Sequence, residues 1–378
     1  MKSETRRAAW AEINLDAIKN NYKKLKKLSG SSEIIAAIKA DAYGHGAIKV
    51  AWELIKEGVD YLAVATLNEA VEIRSNGIKT PVVLLSPAPR KNIKDILDLN
   101  LITVVTTYED AHLLSELVAK QAHPKKPEIF IAIDSGMGRI GYINNRESIA
   151  QICKILALQN IKVKGLFSHF ASSGEENDPY TLNQIDTFLS MKAELEKIIA
   201  IPQYMTIANS AAIINYPQAL FDAVRPGILL YGLYPSDSIK EKLSFTPAMS
   251  IKANIVFIKT VPPGFSVSYN STFTTSKESK IASLSLGYAD GLPRLLSNIG
   301  RVIVNGEYAP IVGNICMDQT LIDVTHIPDV KEYDEVVILG TQGDKTITAD
   351  EIGELTGTIN YEIATRFGQR LPKLFISE

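Results

Sequence analysis

The chain has 378 residues, of which 46% are hydrophobic and 22% charged. This composition is typical of a soluble globular protein, and the length allows one large and one smaller domain. The 40 basic and 42 acidic residues nearly cancel, so neither nucleic acid nor an anionic membrane is expected as a partner. No apolar stretch follows the first residues, which favours a cytoplasmic protein without a signal peptide or membrane span.

Cysteine and histidine are both scarce. Two cysteines exclude a disulfide framework, and the five histidines show no spacing typical of metal ligands, so no protein-bound metal is expected. We expect His112 and His123 to lie at the surface.

Eight short apolar runs begin at about residue 33 and alternate with amphipathic segments. The runs are EIIAAIK, YLAVAT, PVVLLS, ITVVTT, EIFIAID, VKGLFSH, MTIAN and VRPGILLYG. Eight strand-then-helix units predict an α/β fold, the (β/α)8 TIM-type barrel. The intervening helices carry charged residues that we expect on solvated faces: Glu72, Arg74, Glu194, Glu196 and Lys197.

The pattern changes after about Pro235. Strand-like runs separated by Gly, Pro and Asn turns follow, which predicts a mostly β C-terminal domain. One late helix is predicted to begin after Thr348, a good capping residue, and to end at Gly357. We place the barrel at residues 12–240 and the β domain at 241–378 together with 1–11.

A lysine stands at the end of the first predicted strand. Lys39 follows the apolar residues Ala36, Ala37 and Ile38. Side chains at the carboxyl ends of barrel strands face the active site, and partial burial lowers the pKa of a lysine, which makes its amine a nucleophile and a base. From its position alone, an ordinary surface lysine is the better interpretation of Lys39.

Further polar residues end the later strands. Arg139, His169, Ser210 and Arg225 are all predicted at this same end of the barrel. A hydroxyl and a glycine backbone after the seventh and eighth strands form the usual phosphate position of such barrels. A lysine opposite a phosphate pocket is what pyridoxal 5'-phosphate (PLP) requires.

Nine segments resemble the motifs of one family, in the same order. They are KADAYGHG, DSGMGRIG, SHFASS, ANSAA, VRPGILLYG, VSYNSTF, GYADGLPR, GNICMD and TINYEIATR. On these segments, which span nearly the whole chain, the sequence resembles the alanine racemases, PLP-dependent isomerases that interconvert L-alanine and D-alanine. In bacteria such enzymes supply D-alanine for cell-wall peptidoglycan.

The resemblance implies a role for each matching residue. Lys39 would bind the cofactor covalently and act as the base on the D-alanine face, and Tyr269 would act on the L-alanine face. Arg139 and the Met317 backbone would hold the substrate carboxylate. Tyr269 and Met317 would come from the partner subunit of a homodimer. The cofactor-binding residues would be Lys39, Tyr43, Arg139, His169, Asn209, Ser210, Arg225, Gly227, Ile228 and Tyr361.

Arg225 is implied to face the pyridine nitrogen of PLP. A permanent cation there disfavours protonation of that nitrogen, which weakens the ring as an electron sink and favours racemisation over transamination. On the residue alone, an arginine paired with a carboxylate is an equally good interpretation.

The chain departs from the family at two positions. Many members carry a carbamylated lysine where this chain has Ala132, so we expect another anion or side chain to hold Arg139. Asn270 replaces a glycine that often follows the catalytic tyrosine, and Asn tolerates unusual backbone angles well enough to keep the turn.

Other functions remain open at this level. A PLP-dependent decarboxylase on a similar barrel would place an acidic residue on the ring nitrogen and a catalytic cysteine across the dimer. A racemase of serine or of broader specificity is a closer alternative. A non-catalytic PLP-binding protein of this kind is typically a single barrel.

Overall fold

The computed structural model of the chain describes residues 7–121, 125–368 and 370–377 and divides into two compact units. The barrel unit contains Ile18–Ala42 and Ala47–Thr246. The β unit contains the described residues of Met1–Ala17, Tyr43–Gly46 and Pro247–Glu378. The first six residues and His123 lie outside the described ranges, whereas His112 is half-buried at the surface, with its side chain 41% exposed.

Eight parallel strands form a closed barrel, which confirms the predicted (β/α)8 TIM-type fold. Strand β1 (Ala9–Asn14) precedes them in the chain and belongs to the β unit. The barrel closes where Glu33 pairs with Ala223 and Ile34 with Val224. The barrel strands are β2 (Glu33–Ala37), β3 (Tyr61–Val64), β4 (Val82–Leu84), β5 (Leu101–Val105), β6 (Glu128–Ala132), β7 (Lys162–Phe167), β8 (Tyr204–Asn209) and β9 (Ala223–Arg225).

Helices follow the barrel strands and cover them. Every residue of β4 and β5 is buried, as parallel strands between a packed interior and outer helices must be. Thr66 and Asn145 cap two of the helices with their side chains. The helices up to residue 242 are α1 (Leu15–Leu28), α2 (Ala47–Lys56), α3 (Leu67–Ser75), α4 (Ile93–Asp98), α5 (Tyr108–Lys120), α6 (Arg146–Leu156), α7 (Pro179–Glu196), α8 (Ser210–Asn215) and α9 (Asp237–Lys242).

The eighth predicted strand is shorter than the apolar run that predicted it. β9 ends at Arg225, and Ile228–Tyr231 form a short 3-10 helix instead. Pro226 has no N–H to donate to a neighbouring strand, and its carbonyl, which accepts the N–H of Ala37 at 2.9 Å, makes the last bond on this side. All four residues of the 3-10 helix are buried, so hydrophobicity alone gave the wrong secondary structure.

The β unit is built on a nine-stranded sheet, which confirms the mostly β second domain. β1 pairs antiparallel with the long strand β10 (Met249–Val261) and parallel with the strand at the end of the chain. The remaining strands are β11 (Ser266–Val267), β12 (Phe273–Thr274), β13 (Ser279–Leu284), β14 (Arg301–Val304), β15 (Glu307–Pro310), β16 (Thr320–Asp323), β17 (Glu335–Gln342), β18 (Lys345–Ile347) and β19 (Lys373–Ile376).

The start and the end of the late helix were predicted correctly from its capping residues. Helix α10 (Ala349–Thr356) begins where the Thr348 hydroxyl accepts the N–H of Glu351 at 3.0 Å. It ends at Gly357, whose φ of 70° only glycine adopts without strain. A second helix, α11 (Asn360–Arg366), was not predicted. Within the described ranges, every helix is too short or too polar to span a bilayer.

Candidate active site

Lys39 lies directly beyond the carboxyl end of β2. The N–H of Ile38 bonds the carbonyl of Ala63 at 2.9 Å, so the barrel pairing continues up to the residue before the lysine. Lys39 is half-buried, and burial lowers its pKa, assisted by the cations Arg139 and Arg225 and opposed by Glu69. This environment favours the neutral amine that a covalent cofactor link and a general base both need.

The four residues after Lys39 adopt left-handed backbone angles. Ala40, Asp41, Ala42 and Tyr43 have φ values of 51°, 53°, 54° and 54°. The N–H of Ala42 bonds the carbonyl of Ile38 at 2.8 Å, which closes one left-handed helical turn. Such a conformation costs about 1–2 kcal/mol for each non-glycine residue, so the surrounding contacts must hold it in place. No feature of the sequence predicted this turn.

Arg225, at the end of β9, is 5% exposed. Its guanidinium donates to the Thr206 hydroxyl at 2.5 Å and to the Ser168 carbonyl, and lies 4.1 Å from the centre of the Phe167 ring. In the described part of the chain no carboxylate bonds it, so the interpretation as an arginine–carboxylate pair is wrong. Burial and the nearby Arg139 lower the pKa of Arg225.

His169, directly after β7, is in contact with Arg225. Arg225 Nη2 lies 3.2 Å from Nδ1 of His169. Because a guanidinium only donates, Nδ1 must accept, and the ring proton is on Nε2. Burial and the charges of Arg225, Arg139 and Lys39 lower the pKa of His169 well below its usual value, so the imidazole is neutral.

This lowered pKa makes stability dependent on pH. Below about pH 6.5 the unfolded chain takes up a proton at His169 that the folded chain refuses, so folding weakens by at most about 1.4 kcal/mol per pH unit as pH falls. In His169→Asn the amide oxygen can still accept a hydrogen bond from Arg225. We expect the midpoint of urea unfolding to fall less between about pH 7 and 5.5 in this variant than in the natural protein. His112→Asn, at a position whose side chain is 41% exposed, is the control and should not differ from the natural protein. Equal slopes in all three proteins would contradict this account.

A cluster of hydrogen-bond donors follows β8 and β9. Asn209 caps α8 by accepting the N–H of Ala212 at 3.0 Å, and Ser210 follows it. The Ser210 hydroxyl accepts the N–H of Gly227 at 2.8 Å, so the predicted hydroxyl and glycine backbone are adjacent. Ile228 begins the 3-10 helix, where an N–H has no partner within the helix. The hydroxyl hydrogen of Ser210 and the N–H of Ile228 are donors that fit a phosphate.

Two further predicted phosphate ligands, Tyr43 and Tyr361, lie together in the β unit, with ring centres 6.3 Å apart. Burial raises the pKa of Tyr43 to about 12, and burial beside Tyr43 also raises that of Tyr361. Both phenols therefore stay protonated and can donate to an anion. Within the barrel unit, the half-buried Lys39, the buried Arg225 and the donors of Ser210 and Ile228 fit the functional groups of PLP.

Arg139 stands on a loop that Asp134 organises. The Asp134 carboxylate accepts the N–H groups of Gly136, Gly138 and Arg139 at 3.0–3.1 Å. The Arg139 side chain is exposed, and no acceptor within the described residues bonds its guanidinium. The expectation that another side chain of this chain holds Arg139 is therefore wrong. An exposed guanidinium is solvated and needs no such partner, while Ala132 is buried in the barrel core.

Tyr269 and Met317 line one cavity of about 650 Å³ in the β unit, together with Cys316. Tyr269 is 67% exposed, and its carbonyl accepts from the Asn314 side chain at 2.8 Å. Asn270 has a φ of 60°, the unusual angle that we expected Asn to tolerate. The described residues contain no group of three His, Cys, Asp or Glu side chains placed to bind a metal ion.

A glycine holds the Met317 segment in place. The N–H groups of Tyr288 and Ala289 bond the carbonyls of Cys316 and Met317, both at 3.0 Å. A Cβ on Gly287 would lie 2.4 Å from each of those carbonyl oxygens.

We therefore expect Gly287→Ala to displace the Met317 segment, whose backbone the resemblance implies binds the substrate carboxylate, and so to lower kcat/KM for alanine by about 10²-fold. Gly368→Ala is the matched control, because a Cβ there meets nothing closer than 3.8 Å and should leave kcat/KM unchanged. Steady-state racemisation assays of both variants check this. An unchanged kcat/KM in a folded Gly287→Ala protein would contradict it.

Comparison with known proteins agrees with this arrangement. The family model "Alanine racemase, N-terminal domain" matches residues 13–235, and "Alanine racemase, C-terminal domain" matches residues 248–375. Alanine racemase 1 of Clostridium acetobutylicum is 45% identical over 371 residues, covering 98% of this chain and 96% of that protein. The structure of Clostridium difficile 630 alanine racemase aligns with a TM-score of 0.95 at 38% identity, covering 99% of this chain and 97% of the other.

A further similar structure contains the cofactor. Alanine racemase from Bartonella henselae, solved with covalently bound pyridoxal phosphate, aligns with a TM-score of 0.88 at 29% identity, covering 98% of this chain and 99% of the other. The barrel, the lysine at its strand ends and these matches define a PLP-dependent isomerase. The chain belongs to the alanine racemase family.

Proposed function

We propose that this chain interconverts L-alanine and D-alanine by moving one proton on and off the α-carbon between two bases, Lys39 and Tyr269. The observation that carries the proposal is Lys39, a half-buried lysine at the strand ends of a closed barrel whose pKa burial and two arginines lower. Membership of the alanine racemase family supports alanine as the substrate.

The cofactor, when bound, withdraws electron density from the substrate α-carbon and makes its proton acidic. Lys39 would hold it covalently. Ser210, the backbone of Gly227 and Ile228, Tyr43 and Tyr361 would bind its phosphate, and Asn209 would fix the start of α8 beside them. Arg225 would face the ring nitrogen as a permanent cation, held there by neutral His169 and by hydroxyl and carbonyl groups.

The two bases would act on opposite faces of one carbon. Nζ of Lys39 accepts the proton on the D-alanine face, and the phenolic oxygen of Tyr269 accepts it on the L-alanine face. The base that did not take the proton returns one from the far side, so configuration inverts with no net change of bonds. The exposed Arg139 guanidinium and the Met317 backbone would bind the substrate carboxylate.

The active site would be shared between the subunits of a homodimer, with Tyr269 and Met317 supplied by the partner. Their exposure, 67% and 53% in the single chain, supports this proposal because a base must be shielded from water to work well. We also propose that the protein acts in the cytoplasm and supplies D-alanine for peptidoglycan. The domain limits 12–240 and 241–378 with 1–11 remain part of the proposal.

The test is a racemisation assay of purified protein with a panel of L-amino acids, alongside the visible absorbance of bound cofactor. Alanine should turn over fastest. If serine or larger amino acids react as fast, the substrate is wrong while the two-base mechanism stands. Bound cofactor without any racemisation would indicate a non-catalytic PLP-binding protein. Growth of a bacterial strain that requires D-alanine, restored by this gene, tests the physiological role.

A further inference from the structure

Glu69 connects the segment after Lys39 to the next strand of the barrel. It lies in the first turn of α3, after β3, and its side chain is half-buried. Oε1 accepts the N–H of Ala40 at 2.6 Å, and Oε2 accepts the N–H groups of Ala65 and Thr66 at 2.8 and 3.0 Å. One carboxylate thus ties the left-handed turn after β2 to the turn after β3.

Helix capping explains only one of these three bonds. In the capping box of α3, the Thr66 hydroxyl accepts the N–H of Glu69 at 3.3 Å while Oε2 accepts the N–H of Thr66. The bond from Ala40 to Oε1 adds nothing to that cap. It is the shorter bond, and it engages the first residue of a backbone conformation that non-glycine residues rarely adopt.

The same carboxylate offsets the cations around Lys39. The charged groups acting on the lysine amine are Arg139 after β6, Arg225 at the end of β9 and Glu69 on α3, while His169 after β7 is neutral. Both arginines lower the pKa of Lys39, and Glu69 raises it. Among these charged groups of the described residues, Glu69 is the one that stabilises the protonated amine.

We propose that Glu69 is a positioning residue for Lys39, fixing the left-handed turn through the Ala40 N–H and balancing the charge of Arg139 and Arg225. This inference rests on the proposed function in that it takes Lys39 as the cofactor lysine. It assigns to α3 a part in the active site besides covering the barrel.

The test measures how fast the full-length protein, stripped of cofactor, recaptures PLP between about pH 6 and 10, followed by absorbance. The recapture rate rises with pH as Lys39 becomes neutral and then reaches a plateau. The pH at the midpoint of this profile reports the charge around the amine, and the plateau rate reports how well the amine is placed. We expect Glu69→Gln to lower the midpoint by about half to one pH unit and the plateau about tenfold. Glu69→Asp keeps the charge on a shorter side chain, so only the plateau should fall.

Thr66→Ala is the matched control, since it removes a capping bond of α3 but leaves the Glu69 carboxylate in place. It should lower Tm by about 2 °C and leave midpoint and plateau unchanged. Thermal unfolding of each cofactor-loaded variant shows that it is folded. If a folded Glu69→Gln protein has the same pH midpoint and plateau rate of PLP recapture as the natural protein, the inference is wrong. Glu69 would then only cap helix α3. These readouts need no turnover, so a protein that recaptures PLP but does not racemise alanine would refute only the proposed function.

Discussion

Replacing Tyr269 with Phe is expected to lower kcat for alanine racemisation by about 10²- to 10⁴-fold, the usual contribution of a positioned general base. Within the described residues the Tyr269 hydroxyl bonds no other group, and the ring is 67% exposed. Removing one oxygen should therefore leave folding unaffected, within about 0.5 kcal/mol. The bound cofactor should absorb as in the natural protein, because Lys39 is unchanged.

The control for this substitution is Tyr333→Phe. Tyr333 lies in the same β unit and is 77% exposed, but it is not among the residues lining the Tyr269 cavity. Its variant should keep full activity. Initial rates in both directions, with the absorbance spectrum of each protein, make the measurement. A Tyr269→Phe protein that keeps more than about a tenth of the natural kcat would remove Tyr269 from the mechanism.

The second large effect concerns sharing of the active site. Lys39→Ala and Tyr269→Phe should each be nearly inactive alone. If each site takes its lysine from one subunit and its tyrosine from the other, a mixed dimer has one natural site and one doubly altered site. Unfolding and refolding equal amounts of the two variants together should then restore about a quarter of natural activity.

The same experiment has an outcome that excludes sharing. If each chain used its own Lys39 and Tyr269, every site in the mixed dimer would lack one base, and activity would stay near that of the separate variants. Refolding each variant by itself under the same conditions is the control. Size-exclusion chromatography of the mixture establishes that dimers formed.

Features governed by local pattern were predicted from the sequence. The eight barrel strands, the β domain and the cap of α10 follow from periodicity and capping residues whose physics acts within a few residues. The sequence placed Lys39, His169 and Arg225 at the same end of the barrel, and the contact between His169 and Arg225 follows from barrel geometry.

Other features depend on contacts distant in sequence, and these were missed. The left-handed turn of residues 40–43 consists of ordinary residues, and its tie to Glu69 exists only in the folded barrel. Arg74 was interpreted as part of a solvated helix face, but it is half-buried and donates to the carbonyls of Leu99, Ile78 and Thr80 at 2.8–2.9 Å. A charged residue at a helical position does not reveal whether a neighbouring loop will cover it.

The pairing of β1 affects the order in which the chain can fold. Ala9 pairs with Ala253 of β10, and Ala11 pairs with Lys373 of β19, so one strand needs partners from the middle and the far end of the chain. During synthesis the barrel residues are complete long before β19 leaves the ribosome. The sheet around β1 can then close only after β19 has been synthesised, and closing so long a loop is slow. Until then β1 offers an unpaired strand edge, the kind of surface that chaperones protect.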